Sequence, residues 1–193
     1  MSLRATEFSE DATKAIATEV AGLAARPEQR ERYLGGAPVE KLKLAAPHLV
    51  YTLGLKDLAG NPGIDEAKPI GHRCLIMSND DAVATAEIAD PEGAEGVTTT
   101  RGPFTEATVA TIDEVEGWDE VRERDYELRL LRIPALYVMA LWLHDGDGGE
   151  DLFSPLAPVP EGLDEHKRYT WAELTDILRP QAARLLDAPE GLA

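Results

Sequence analysis

The sequence predicts an α+β fold: a single domain with a mainly antiparallel sheet of about five to seven strands between N-terminal and C-terminal helical segments. Three observations carry that reading. Apolar residues recur at helical spacing before Gly35, they alternate in and out from Ala37 to about Pro160, and Thr170 opens a capping-box sequence close to the end. The 193 residues suit one well-buried core, so the chain divides into a helical segment over 1–36, a sheet-rich core over 37–160 and a second helical segment over 161–193.

The first element, Ser9 to Ala25, places Ala12, Ile16, Val20 and Leu23 on one face. Ser9 is its cap, and Glu10 and Asp11 suit the positive end of its dipole. Pro27 starts a shorter helix that Gly35-Gly36 closes, with Arg26-Pro27 as the hinge. A short strand over Val39 to Leu44 follows, then a second whose face is Leu49, Tyr51, Leu53 and Leu55. Ala59 to Gly71 combines Gly, Pro, Asn and Asp and reads as a long loop.

His72 to Ser78 and Ala82 to Ile88 form a hairpin across Asn79-Asp80-Asp81, residues that tolerate positive φ. Asp90 to Gly96 reads as an acidic turn. Thr105 to Thr111, rich in Thr and Val, reads as a strand, and Asp113 to Arg124 as a short helix with Asp113 and Glu116 in capping-box relation. Glu127 to Ile133 reads as a strand ending at Pro134, and Tyr137 to His144 and Asp151 to Leu156 as the arms of a hairpin. Pro134 to Leu143 also admits a helix, since Pro is acceptable at a first helical position and ALYVMALWL contains good helix formers. In the last helix Leu174, Ile177 and Leu178 face inward, Pro180 kinks or restarts the chain, and Ala188 to Ala193 form a frayed tail.

Charge narrows the functional classes. The formal net charge is −17, and residues 61–125 hold 16 acidic against 5 basic side chains, an excess of 11. Clustered acid opposes binding to nucleic acid and to anionic membranes, both of which need Lys and Arg. The apolar run Pro134 to Leu143 is ten residues, about half of a membrane span. The N-terminus lacks the apolar core of a secretory signal, and one cysteine excludes a disulfide framework within the chain, so a cytoplasmic setting is expected.

Residues able to carry chemistry are few. The period-two rule puts His72 and Cys74 on one strand face about 7 Å apart, and with His144 they mark the place where a small enzyme or ligand-binding pocket would form. Asp145 and Asp147 crowd oxygen atoms into one turn, yet Glu150 stands where a calcium loop counted from Asp145 needs glycine, and Leu156 where it needs glutamate. No phosphate loop, GxSxG, HExxH or CxxC pattern occurs, and no cofactor is implied. The leading expectation is a non-enzymatic protein-interaction domain whose acidic residues Asp113, Glu114, Glu116 and Asp119 contact a partner with a basic surface. Self-association through sheet edges or apolar faces is a third.

Overall fold

The computed structural model describes residues 3–90 and 95–188. It is an α+β structure built on one mixed sheet of eight strands, in the order β4-β3-β2-β1-β5-β6-β7-β8. Helices α1 (Glu10–Ala24) and α2 (Pro27–Leu34) precede β1 (Leu42–Thr52), and α3 (Leu55–Ala59) leads to β2 (Lys68–Ser78), β3 (Asp81–Asp90) and β4 (Glu95–Thr100). Then come α4 (Pro103–Val115), α5 (Asp119–Glu123), β5 (Tyr126–Ile133), β6 (Val138–Asp145), β7 (Leu152–Pro155), β8 (Tyr169–Thr170) and α6 (Trp171–Asp187). Every strand pair is antiparallel except β1 with β5, which run parallel from Leu49↔Arg129 to Thr52↔Arg132.

The sheet exceeds the expected five to seven strands, with β4 and the two-residue β8 as its ends. The two strands expected around Ala45 are one, Leu42–Thr52: Val39–Lys41 form a 3-10 turn before it, Leu53 and Leu55 lie beyond it, and at Ala46, with a left-handed φ of 47°, the pairing with β2 skips from Ala45 to His48, a bulge that bends β1 without ending it. The segment expected as a loop after Ala59 holds a short 3-10 turn, Ile64–Glu66, and the beginning of β2. Pro134–Leu136 form another 3-10 turn and β6 follows, so the strand reading of this stretch is the one that holds.

Thr105 to Thr111 is not a strand: it lies inside α4, with Pro103 at the first helical position. The β-branched residues there are in-facing, since Thr105, Thr108 and Thr111 are buried against the sheet, and the Thr108 hydroxyl donates to the Phe104 carbonyl at 2.6 Å. The helix expected over 113–124 is likewise split. Asp113 belongs to the last turn of α4, residues 116–118 form a turn, and α5 begins at Asp119 without a side-chain cap.

Both ends of the chain follow the reading of their caps. Ser9 accepts from the Ala12 amide at 3.1 Å, and Ala12, Ile16, Val20 and Leu23 are buried. Thr170 and Glu173 form the reciprocal capping box of α6, which continues through Pro180 to Asp187. Part of the acidic turn after Asp90 and the tail beyond Ala188 lie outside the described residues.

Three apolar clusters hold the layers together. On one face of the sheet, α1 and α2 cover Cys74, Ile76, Ala84, Ala86 and Ile88. Farther along the same face, α3 and α6 cover Leu131, Trp142 and Phe153. On the opposite face, Val50, Leu130, Leu141 and Leu143 pack with Val115 of α4 and Val121 of α5. The apolar run through β5 and β6 is therefore covered on both faces, which is why it lacks a polar side. No helix among the described residues is long and apolar enough to cross a membrane.

Candidate interaction surface

Helix α4 turns Thr105, Thr108, Thr111 and Val115 to the sheet and leaves Glu106 and Asp113 exposed, so its solvent face is acidic by default of its amphipathic register. The β2–β3 turn lies beside it, with Asn79 in the left-handed conformation at φ 57° and Asp80 and Asp81 exposed. Asp80, Asp81, Glu106 and Asp113 line one wide cleft of about 990 Å³ that Arg32 and Arg101 also line. Glu116 and Asp119, also exposed, continue the acidic surface beyond α4. Among the described residues, none of Asp80, Asp81, Glu106, Asp113, Glu116 and Asp119 takes part in an ion pair.

Glu114 behaves differently from its neighbours. Its Oε2 lies 2.7 Å from Nδ1 of His166, in the basic stretch His166-Lys167-Arg168 that precedes α6, and Arg168 pairs with Glu120. A shallow cleft of about 520 Å³ lies along this contact, between Trp118, Asp119 and the basic stretch. The carboxylate holds the exposed His166 ring above its ordinary pKa. Of the four predicted interaction residues, Asp113, Glu116 and Asp119 are thus open to solvent while Glu114 already has a partner within the chain.

His72, Cys74 and His144 share a face of the sheet without converging. Cys74 is fully buried under α1 and α2, and burial pushes its thiol up to about 12. His72 is half-buried, its ring edge-on to Phe8 with centroids 5.4 Å apart. The register runs His72 to Leu49 to Arg129 to Trp142, so three strand spacings, about 14 Å, separate His72 from β6, where His144 lies.

His144 has a different set of neighbours. Asp151 lies 3.0 Å from its Nδ1 and also accepts from Trp142 Nε1 at 2.8 Å and from the Asp145 amide at 2.8 Å. Arg129 donates to Glu127 at 2.9 Å and lies over the rings of Tyr51 and Trp142, its guanidinium carbon 5.2 and 5.1 Å from their centroids. Glu127 stands directly across from His144 on β5. Trp142 and Tyr51 join this cluster to the apolar area covered by α3 and α6. The sequence did not join these residues, because Tyr51 comes from β1 and Glu127 and Arg129 from β5, while Trp142, His144 and Asp151 belong to β6 and the turn after it.

Asp145 and Asp147 occupy a structural turn. Asp145 is buried, accepts from Arg124 at 3.0 Å and from the Asp147 amide at 2.9 Å, and the Arg124 contact holds its carboxyl below the usual range. Among the described residues, no three His, Cys, Asp or Glu side chains are placed to hold a metal ion. A feature absent from the sequence reading is Tyr137, which is 85% exposed at a left-handed φ of 54° and shares a cleft of about 510 Å³ with Leu136, Pro180 and Leu185.

Comparison of the chain with protein-family models, with curated proteins and with solved structures gave no match.

Proposed function

We propose that this chain is a non-enzymatic interaction domain that binds a partner protein carrying a basic surface. The observation that supports the reading is the row of exposed, unpaired carboxylates running from Asp80 and Asp81 across Glu106 and Asp113 to Glu116 and Asp119. Such charges repel one another and, among the described residues, form no ion pair, whereas a complementary surface would be drawn to them, raising the association rate and fixing orientation. Glu114 and Glu120 lie outside the proposed contact because His166 and Arg168 already hold them within the chain.

The test is a triple reversal, Asp113→Lys, Glu116→Lys and Asp119→Lys, compared with reversal of Glu28 and Glu161 on other surfaces. Partners captured from the source cells should be lost with the first set and kept with the second, and the wild-type complex should weaken as salt rises. Retention of every partner by the triple variant sinks the proposal.

One observation favours a second reading, a small ligand-binding or catalytic site at His144. Asp151 fixes the ring through Nδ1 and leaves Nε2 as a proton acceptor, with Arg129 and Glu127 as charged neighbours. A fragment screen by NMR should then shift the His144, Arg129 and Tyr51 signals together. Hits that leave all three unmoved count against it.

A further inference from the structure

The face of the sheet beneath α4 carries a polar cluster that the acidic surface does not use. Arg132 donates to Glu87 through Nη1 at 2.7 Å and Nη2 at 2.5 Å, a bidentate pair. Arg73 stands directly across from both Glu87 and His48 in the strand register, is 3% exposed, and has no carboxylate hydrogen bond of its own among the described residues. Its Nη1 meets the Met139 thioether, a weak acceptor, at 3.1 Å, and its Nη2 makes a long contact of 3.4 Å to the neutral Thr85 hydroxyl. His48 is fully buried, with Nδ1 2.7 Å from the Ala46 carbonyl, which fixes the tautomer that leaves Nε2 an acceptor. Arg73 Nε, Arg132 Nε and His48 Nε2 are all buried without a hydrogen-bond partner among the described residues.

Two guanidiniums thus share one carboxylate, and the surplus positive charge is on the more buried of the two. Buried charges in folded proteins are ordinarily paired and hydrogen-bonded, because an unpaired one bears the full cost of desolvation. A bridging water would fill the open hydrogen bonds and leave the charge uncompensated. An oxygen-rich anion answers both. We propose that Arg73, Arg132 and His48 hold a small oxyanion of the hydrogen phosphate class, its charged oxygens accepting from the two guanidinium Nε groups and its protonated oxygen donating to His48 Nε2. Arg132 and Glu87, whose side chains are 22% and 27% exposed, form the solvent-facing rim through which the anion enters. The His48 acceptor supplies selectivity, since sulfate carries no proton near neutral pH and would turn an oxygen lone pair toward the ring nitrogen.

The probes are inorganic phosphate, sulfate and chloride at matched ionic strength near neutral pH, added to the full chain. Phosphate at about ten times its Kd should raise the thermal midpoint by roughly 3–6 °C over chloride, with sulfate giving less than half of that. Arg73→Met should abolish the phosphate response. Should that variant fail to fold, Arg132→Met and the side-chain Nε–H signal of Arg73 in the wild type, followed through a phosphate titration, give independent readouts. A saturable shift of that signal supports the site. An equal response to phosphate and sulfate, or an Arg73 signal that phosphate does not move, overturns it in favour of a general salt effect on a hydrated cluster.

Discussion

The Glu114 carboxylate meets the His166 ring at 2.7 Å, tying the last turn of α4 to the basic stretch ahead of α6 across 52 residues of sequence. Glu114 raises the pKa of His166, so the contact is strongest where the ring is charged. Its stabilising contribution is fully present below the unfolded value of about 6.5 and is lost as pH rises through the raised folded value. An NMR titration should place the His166 midpoint above that of a free histidine, and Glu114→Gln should return it to the ordinary range. An unchanged midpoint in the variant would show that the contact is not formed in solution.

His48 should behave in the opposite sense. Burial, with the charge of Arg73 beside it, lowers its pKa to about 3. The folded state therefore resists protonation while the unfolded chain accepts it, so stability is present above about pH 6.5 and falls as pH drops toward 3. The His48 ring signals should remain those of the neutral form at pH values where His166 is charged. Titration of His48 near the ordinary value with the fold intact would contradict the burial described above.

Cys74 should be inert in the native protein. Its side chain is fully buried between α1 and β2, and burial raises the thiol to about 12. A chromogenic disulfide reagent should react with less than a tenth of the protein under native conditions and with all of it in guanidinium, because only the thiolate attacks. Fast native labelling at a stoichiometric level would require a path to Cys74 that the packing does not provide.

Gly71 should tolerate no side chain. A Cβ there would lie 2.4 Å from the Ile88 carbonyl oxygen, and the backbone stands at φ 153°. Since the obstacle is the backbone of the neighbouring strand, Gly71→Ala has to displace the β2–β3 pairing. It should cost about 2–4 kcal/mol in urea unfolding, at the upper end of ordinary substitutions. Thr170→Ala, which removes half of the α6 capping box, should cost about 1 kcal/mol. Equal costs for the two variants would refute the steric account of Gly71.

The sequence revealed this fold most clearly where a local interaction decides the outcome. Ser9 and Thr170 cap their helices through residues three positions away, and the Asn79 turn adopts its left-handed backbone within the hairpin itself. It misled at Thr105 to Thr111, where β-branched residues suggested a strand and the preceding Pro103 together with burial against β3 made a helix. Intrinsic preference there yields to packing. The predicted interaction residues were recognisable as a charge cluster, but the partner that sets Glu114 apart is 52 residues away. The Arg73 cluster was hidden for the same reason, since its members are drawn from β1, β2, β3, β5 and β6 and no spacing rule joins them.

The single parallel pairing has a consequence for how the chain assembles. On either side of the β1–β5 seam, neighbouring strands are sequence neighbours, so β1 to β4 and β5 to β8 each grow by local zipping. The seam joins Leu49 to Arg129, 80 residues apart, so it carries a larger loop-closure cost than the hairpin pairings on either side. It is the place where two separately produced halves, divided in the Arg101-Gly102 connection before α4, would have to find each other to rebuild the sheet.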